Sequence, residues 1–395
     1  MSFRSSLALL KVPYFAPTLL AMLLAILAEA VALTYTALLA VEKIGMTPIE
    51  LTLVMTLSSV SGIGFATLFG QMHDRRPARW PLLLSLLAKV VGYGLCAVVS
   101  EAWMLIAIGF TLFGLGGASF GLLFAIAKGQ LDVMGGETVQ RGMASMRMIS
   151  SLAWAIGPAI GAVLVAFGSF RGVYLGASGL ALVALVTVLA TRLRIVPAVA
   201  GERRRVDLDT VRAAAPGVLA LTAFHTAMFM ASTAMSIVVV QDLGTETDVG
   251  LLFSLCAALE VLVMGLFVIR PMSRVSHGLL IVGFLIFAAY FVLPLLVPTL
   301  STLYWGQILR AIAIGVISIV GMAYIQELLP GRAGAAAALF GNTMSAGALL
   351  SGLSTGLWAG AFGFWSIFGL AVGLSLFGAA AIAVGRRGRT AEATG

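Results

Sequence analysis

The sequence predicts an all-α membrane protein of twelve transmembrane helices, arranged as two six-helix pseudo-repeats with both termini in the cytoplasm. Three observations carry that prediction. Hydrophobic residues fill 61% of the 395 positions and charged residues only 10%, where soluble domains average about 25% charged. Apolar runs of about 20 residues, the length of helix that crosses a bilayer core, follow one another along the chain. Lys and Arg fall almost entirely in alternate connecting segments, as they do in multi-pass proteins.

Cutting at charges and at Gly/Pro turns gives spans near 16–40, 49–70, 80–100, 103–127, 142–168, 173–191, 216–240, 248–269, 278–297, 302–326, 334–358 and 362–385. Helices satisfy every backbone group within the segment, which hydrocarbon demands; barrel strands would be shorter and alternating. One set of connecting segments holds Arg4, Lys11, Arg75, Arg76, Arg79, Lys128, Arg141, Arg192, Arg194, Arg203, Arg204, Arg205, Arg212, Arg270, Arg274, Arg332, Arg386, Arg387 and Arg389. The opposite set holds Lys43 and Arg171, with the acids Glu42, Glu101, Asp242, Glu246 and Asp248. The basic set faces the cytoplasm.

The longest polar stretch divides the chain into an N-terminal half (1–191), a basic linker (192–215), a C-terminal half (216–385) and a tail (386–395), a layout that suggests a parallel repeat. Arg141-Gly142 opens span five and Arg332-Ala333-Gly334 opens its counterpart, span eleven. The net charge of +8 is scattered over short loops and forms no continuous basic face, so nucleic acid is not an expected partner; membrane lipid is. Arg4 and Lys11 before an apolar run imitate a signal peptide, but with many spans downstream the run reads as an uncleaved first helix. Cys96 and Cys256 lie in apolar runs without metal spacing and read as small core residues. No metal or organic cofactor is expected.

Five charged residues lie inside membrane-spanning runs: Glu29, Lys89, Arg147, Glu260 and Arg310. An ionisable group at bilayer depth costs roughly 2.5–3.5 kcal/mol on insertion scales and usually faces a cavity or a partner, which makes these the first functional candidates.

Two motifs carry mechanism. The first inner loop reads Gly70-Gln71-Met72-His73-Asp74-Arg75-Arg76-Pro77-Ala78-Arg79. It resembles the signature loop between helices two and three of the major facilitator superfamily, with Pro77 in place of the second glycine. There Asp74 would latch onto the positive N-terminus of helix eleven, while Arg75 and its neighbours pair with acids or lipid. Span five contains Ala153-Trp154-Ala155-Ile156-Gly157-Pro158-Ala159-Ile160-Gly161. It resembles the Gly-Pro motif in helix five of proton-driven exporters of that superfamily. Pro158 kinks the helix, and Gly157 with Gly161 makes a close-packing face. The superfamily architecture places helix eight against that face.

A closer resemblance lies in Ser151–Pro158, in Leu259-Glu260 and above all in the stretch from Gly321-Met322-Ala323-Tyr324-Ile325-Gln326-Glu327 through Arg332 to Asn342-Thr343-Met344-Ser345. These look like the bacterial sugar efflux transporters. The resemblance implies a monomeric, multi-pass protein of the bacterial inner membrane. It would be a secondary active exporter, moving sugars or glycosides by alternating access in exchange for protons, with the proton gradient as its only coupling agent and no enzymatic activity. One departure stands: that family carries an acid in helix seven, where this chain has His225, Thr226, Ser232 and Thr233.

On that architecture Glu29 and Arg310 fall on cavity helices one and ten, as a proton carrier or substrate acid and as a donor to sugar hydroxyls or to a carboxylate such as Glu29. Arg147 and Glu260 fall on helices five and eight. At about 1.5 Å per residue their Cα atoms differ in depth by roughly 8 Å, within reach for an inner gate pair. Lys89 falls on peripheral helix three and is expected to pair structurally. Tyr35, His225, Gln307, Gln326 and Asn342 are the neutral substrate candidates, and Trp154 is a surface for stacking on a sugar ring.

Other readings fit parts of the sequence; a channel is poorly supported, since no re-entrant filter-like loop is evident. A multidrug/H+ antiporter of the same fold would suit the many apolar groups (Met22, Phe120, Phe124, Met228, Phe229), with a lipophilic drug as substrate. An intramembrane serine protease is suggested by Gly176-Ala177-Ser178-Gly179 and by Gly117-Ala118-Ser119-Phe120-Gly121. Such strings are cheap in a chain with 45 glycines, and the elbow needs a strand-to-helix turn that an apolar helix lacks.

Overall fold

The computed structural model describes residues 12–132, 136–191, 195, 208–269, 276–329 and 333–392. The described residues form helices and no strand. In chain order these are α1 (Phe15–Leu38), α2 (Pro48–Arg75), α3 (Trp80–Cys96), α4 (Ala102–Ile108), α5 (Gly114–Asp132), α6 (Gly136–Ala190), α7 (Leu208–Val238), α8 (Glu246–Ile269), α9 (His277–Leu296), α10 (Leu300–Leu328), α11 (Ala333–Phe362) and α12 (Ser366–Glu392). A π-helical turn, Gly109–Phe113, joins α4 to α5 in one continuous run. The 55 residues of α6 hold a backbone break at Ser169 (φ 56°), inside the gap expected between spans five and six. Among the described residues nine helices are long and apolar enough to cross a membrane, and α3 is apolar but shorter.

The end of α1 and the start of α2 have a counterpart two hundred residues on. Each of α1 and α7 widens into a five-residue π turn, Leu39–Lys43 and Val239–Leu243. After the first turn Gly45 adopts φ 75°, a left-handed conformation that glycine enters without a Cβ clash. Each helix that follows opens on a capping box. The Thr47 backbone N–H and hydroxyl both donate to Glu50 Oε2 at 2.8 Å, and the Glu50 N–H donates to Thr47 Oγ at 3.3 Å. Thr245 donates to Asp248 Oδ2 at 2.9 and 2.8 Å, and the Asp248 N–H donates back at 3.4 Å. Removing such a cap costs about 1 kcal/mol. Thr245→Ala should therefore lower the thermal midpoint in detergent by roughly 2–4 °C, and Thr245→Ser should not.

The chain divides into two compact units, Met1–Met46 with Leu57–Glu202, and Thr47–Thr56 with Arg203–Gly395. In the first unit α1 is packed mainly on α6, with α5 beside it. Phe15, Met22, Ile26, Leu86, Leu123 and Met146 are among the buried side chains there. Small residues set the helix separation. A Cβ at Gly157 would collide with Ala30 of α1, and one at Gly161 would lie 2.5 Å from the Tyr35 ring. Within the first unit the Gly157–Gly161 face of α6 receives α1. Ala30 is short enough to let the backbones approach, and the Tyr35 ring fills the space Gly161 leaves.

In the second unit α7 takes the same central place, packed on α11, α12 and α10. Phe224 meets Phe287 at 5.3 Å and Phe284 at 6.3 Å, and Phe287 meets Phe291 at 4.4 Å. Gly347 of α11 lies against the backbone of His225 and Thr226.

Candidate functional site

In the first unit one charged pair dominates. Lys89 Nζ of α3 donates to Glu29 Oε2 of α1 at 2.5 Å. The lysine side chain is 3% exposed and the glutamate side chain 25%. Both residues sit far from the ends of their helices, too deep for the lysine stem to reach an interface, so each provides the other's counter-charge. This is the structural pairing expected for Lys89, and it gives Glu29 a base within its own unit. Tyr35 is fully buried, its ring against Gly161. Pro158 is buried, Trp154 is 41% exposed, and the Arg147 side chain is exposed.

In the second unit the polar groups of α7, α8, α9 and α10 converge. Arg310 is 5% exposed and Gln307 fully buried. Arg310 Nη2 donates to Ser232 Oγ at 2.7 Å and Nη1 to Gln307 Oε1 at 3.3 Å. Its guanidinium lies over the Phe253 ring, 5.1 Å from the centroid, a cation–π contact strengthened by desolvation. Gln307 Nε2 donates to the Leu303 carbonyl at 2.9 Å, and the Tyr290 hydroxyl points at the Met235 sulfur at 3.5 Å. Glu260, half-buried one turn along α8, accepts from Cys256 Sγ at 3.3 Å and interacts electrostatically with Arg310. Glu260 thus has a charged neighbour within its own unit.

The other candidates separate. His225 is 3% exposed, with Nδ1 and Thr343 Oγ1 3.2 Å apart and its ring among Phe224, Phe229 and Phe340. It is a buried histidine with Thr343 as a polar neighbour. Gln326 and Asn342 are exposed on α10 and α11 and do not join the Arg310 cluster. Arg75 is exposed. The side chain of Asp74, the Arg332 turn and most of the basic linker lie outside the described residues.

Sequence reasoning missed Ser232 as an Arg310 partner, and it missed Met235, Phe253, Tyr290 and the Cys256 thiol. A signal was present for two contacts: Gln307/Arg310 and Cys256/Glu260 stand at i,i+3 and i,i+4, the spacings at which helix side chains meet. Among the described residues no cluster of His, Cys, Asp and Glu could hold a metal ion.

The arrangement holds the Glu29–Lys89 ion pair and an arginine-centred cluster in largely apolar helices. It provides hydrogen-bond donors, an acid and aromatic faces. A model of the Major Facilitator Superfamily matches residues 18–213. A Deinococcus radiodurans protein named as a sugar efflux transporter is 35% identical over 366 residues, covering 90% of this chain and 94% of that one. Sugar efflux transporter A of Escherichia coli is 27% identical, covering 83% and 84%. Among solved structures, the peptide-transporter-family protein PepTSo superposes with a TM-score of 0.77 at 11% identity, covering 95% and 97%. That last likeness speaks for the fold.

Proposed function

Because the chain belongs to the sugar efflux transporters of the Major Facilitator Superfamily, we propose that it exports sugars or glycosides from the bacterial cytoplasm by proton antiport. The observation that carries the reading is the 35% identity maintained over 90% of the chain. Twelve spans, cytoplasmic termini and an inner-membrane location accord with the alternating Lys/Arg distribution. The paired π turns and capping boxes accord with two six-helix repeats. A monomer is the expected working form.

The polar clusters divide the work. Arg310, with Gln307 and Ser232, offers donors and acceptors suited to sugar hydroxyls, and Phe253 offers an apolar ring. Glu260 is the proton carrier of this proposal, taking the place of the acid that helix seven lacks. Its protonation removes the negative charge that faces Arg310 and frees the guanidinium for substrate.

The test is efflux of labelled methyl glucoside from proteoliposomes, with and without a bath more acidic than the lumen. The acid bath is expected to accelerate efflux. Glu260→Gln is expected to keep downhill exchange and to lose the response. Efflux indifferent to the gradient in the native protein rules out antiport. Competition by a lipophilic cation, but not by unlabelled glycosides, would replace the sugar reading with drug export.

A further inference from the structure

We propose that the Met235 sulfur is a place-holding acceptor, and that a substrate hydroxyl oxygen takes over the three donors now aimed at it: Tyr290 Oη, Gln307 Nε2 and Arg310 Nη1. Met235 and Tyr290 thereby become the floor of the Arg310 cluster, a donor-lined subsite for one sugar hydroxyl. The proposal rests on the export reading above for its class of substrate.

Three donors from two helices converge on one thioether of a third. Tyr290 Oη of α9 lies 3.5 Å from Met235 Sδ of α7, Gln307 Nε2 of α10 lies 3.8 Å from it, and Arg310 Nη1 lies 4.0 Å from it. A phenol, an amide and a guanidinium are strong donors, whereas a thioether is a weak acceptor. The sulfur therefore holds the three donors without consuming their bonding capacity, and an oxygen that reaches them makes the stronger bonds. Methionine is also suited to yield its place, being unbranched, with three rotatable bonds, and tolerant of repacking.

The donors are held from behind. A Cβ at Gly306 of α10 would lie 3.2 Å from the Tyr290 ring, so glycine there lets the ring lie close to α10. Phe291 packs on that ring at 4.9 Å and Phe287 stacks parallel to it at 6.3 Å. Gln307 Nε2 also donates to the Leu303 carbonyl at 2.9 Å, which orients the amide. The cluster is sealed at this end and open at the other. Met235 and Gln307 are fully buried and Tyr290 is 2% exposed, while Ser232 and Phe253 are half-buried. A sugar that enters past Ser232 and Phe253 meets the sulfur-facing donors last.

Equilibrium binding of methyl glucoside to the full-length purified protein tests the proposal, with two variants that change the acceptor in opposite directions. Met235→Leu keeps the volume and removes the acceptor. The empty site then leaves its donors without a partner, so binding should tighten about threefold, the low end of what a neutral hydrogen bond is worth. Met235→Gln supplies a carbonyl oxygen that engages the donors, and binding should weaken about tenfold. A residue that only packs would weaken binding in both variants or in neither. Tyr290→Phe keeps the ring and should weaken binding about fivefold. Substrate analogues test the native protein itself. At one ring position the deoxy sugar should bind about tenfold more weakly than methyl glucoside, and the deoxyfluoro sugar should recover part of the loss, because fluorine accepts without donating. A Met235→Leu protein that binds no tighter than the native one, a Met235→Gln protein that binds no more weakly, or deoxyfluoro sugars no better than deoxy sugars at every position overturns the place-holding role and leaves sugar export standing. Absence of methyl glucoside binding by the native protein overturns both.

Discussion

Replacing Arg310 by methionine should reduce substrate-gradient-driven efflux by at least about tenfold, since hydrogen bonds to a charged group are worth about 1.5–3 kcal/mol each. Three groups lose their partner at once: Ser232, Gln307 and the face of Phe253. Arg310→Lys should not restore transport, because an ammonium is a point charge and cannot span Ser232 and Gln307 while lying flat on the ring. Stability responds separately. Glu260 is half-buried and interacts with Arg310 electrostatically, short of a salt-bridge contact; removing one of two such charges leaves the other uncompensated, whereas removing both is often close to neutral. Arg310→Met/Glu260→Gln should therefore recover much of the thermal midpoint lost by Arg310→Met, and none of the transport. A double variant as unstable as the single would show that Glu260 and Arg310 do not act as a pair.

The second large effect is steric. Gly347→Ala puts a methyl group against His225 Cβ, 2.9 Å from the His225 carbonyl carbon and 2.9 Å from Thr226 N. Alanine gains about 0.8–1 kcal/mol over glycine in helix propensity, and overpacking costs about 1–3 kcal/mol. The clash includes backbone, which no rotamer change relieves, so the cost should reach the upper part of that range and win. α7 and α11 must then separate, and the His225–Thr343 contact goes with them. The thermal midpoint in detergent is expected to fall by roughly 4–8 °C. Gly341→Ala is the control: nothing lies within 4 Å of its Cβ position, so propensity alone acts and the midpoint should hold or rise slightly. Equal behaviour of the two variants would mean that the α7–α11 separation is not set by Gly347.

Much of this fold could be read from the chain because lipid imposes a simple code. A run such as His277–Leu296 has one option in hydrocarbon, and the loop arginines choose its direction. The break at Ser169 was visible as a change from apolar helix to Gly-Ser-Phe-Arg-Gly. Helix partners were harder. Gly157 and Gly161 announce a close approach but do not say that α1 makes it. His225 shows the same limit: its sequence context does not name its neighbours, Thr343 and Phe340, which lie more than a hundred residues away.

By itself the sequence determined the all-helical membrane architecture, the family, and the fact that Glu29, Lys89, Glu260 and Arg310 are costly enough to require partners. The tertiary structure decided which partners they have. It joined Glu29 to Lys89 across 60 residues, and Arg310 to Ser232 across 78. Both are consequences of helix rotation and separation. Those are set by where a glycine, an alanine or an aromatic ring falls at each helix crossing, and a one-dimensional pattern of charge and hydropathy does not encode which crossings occur.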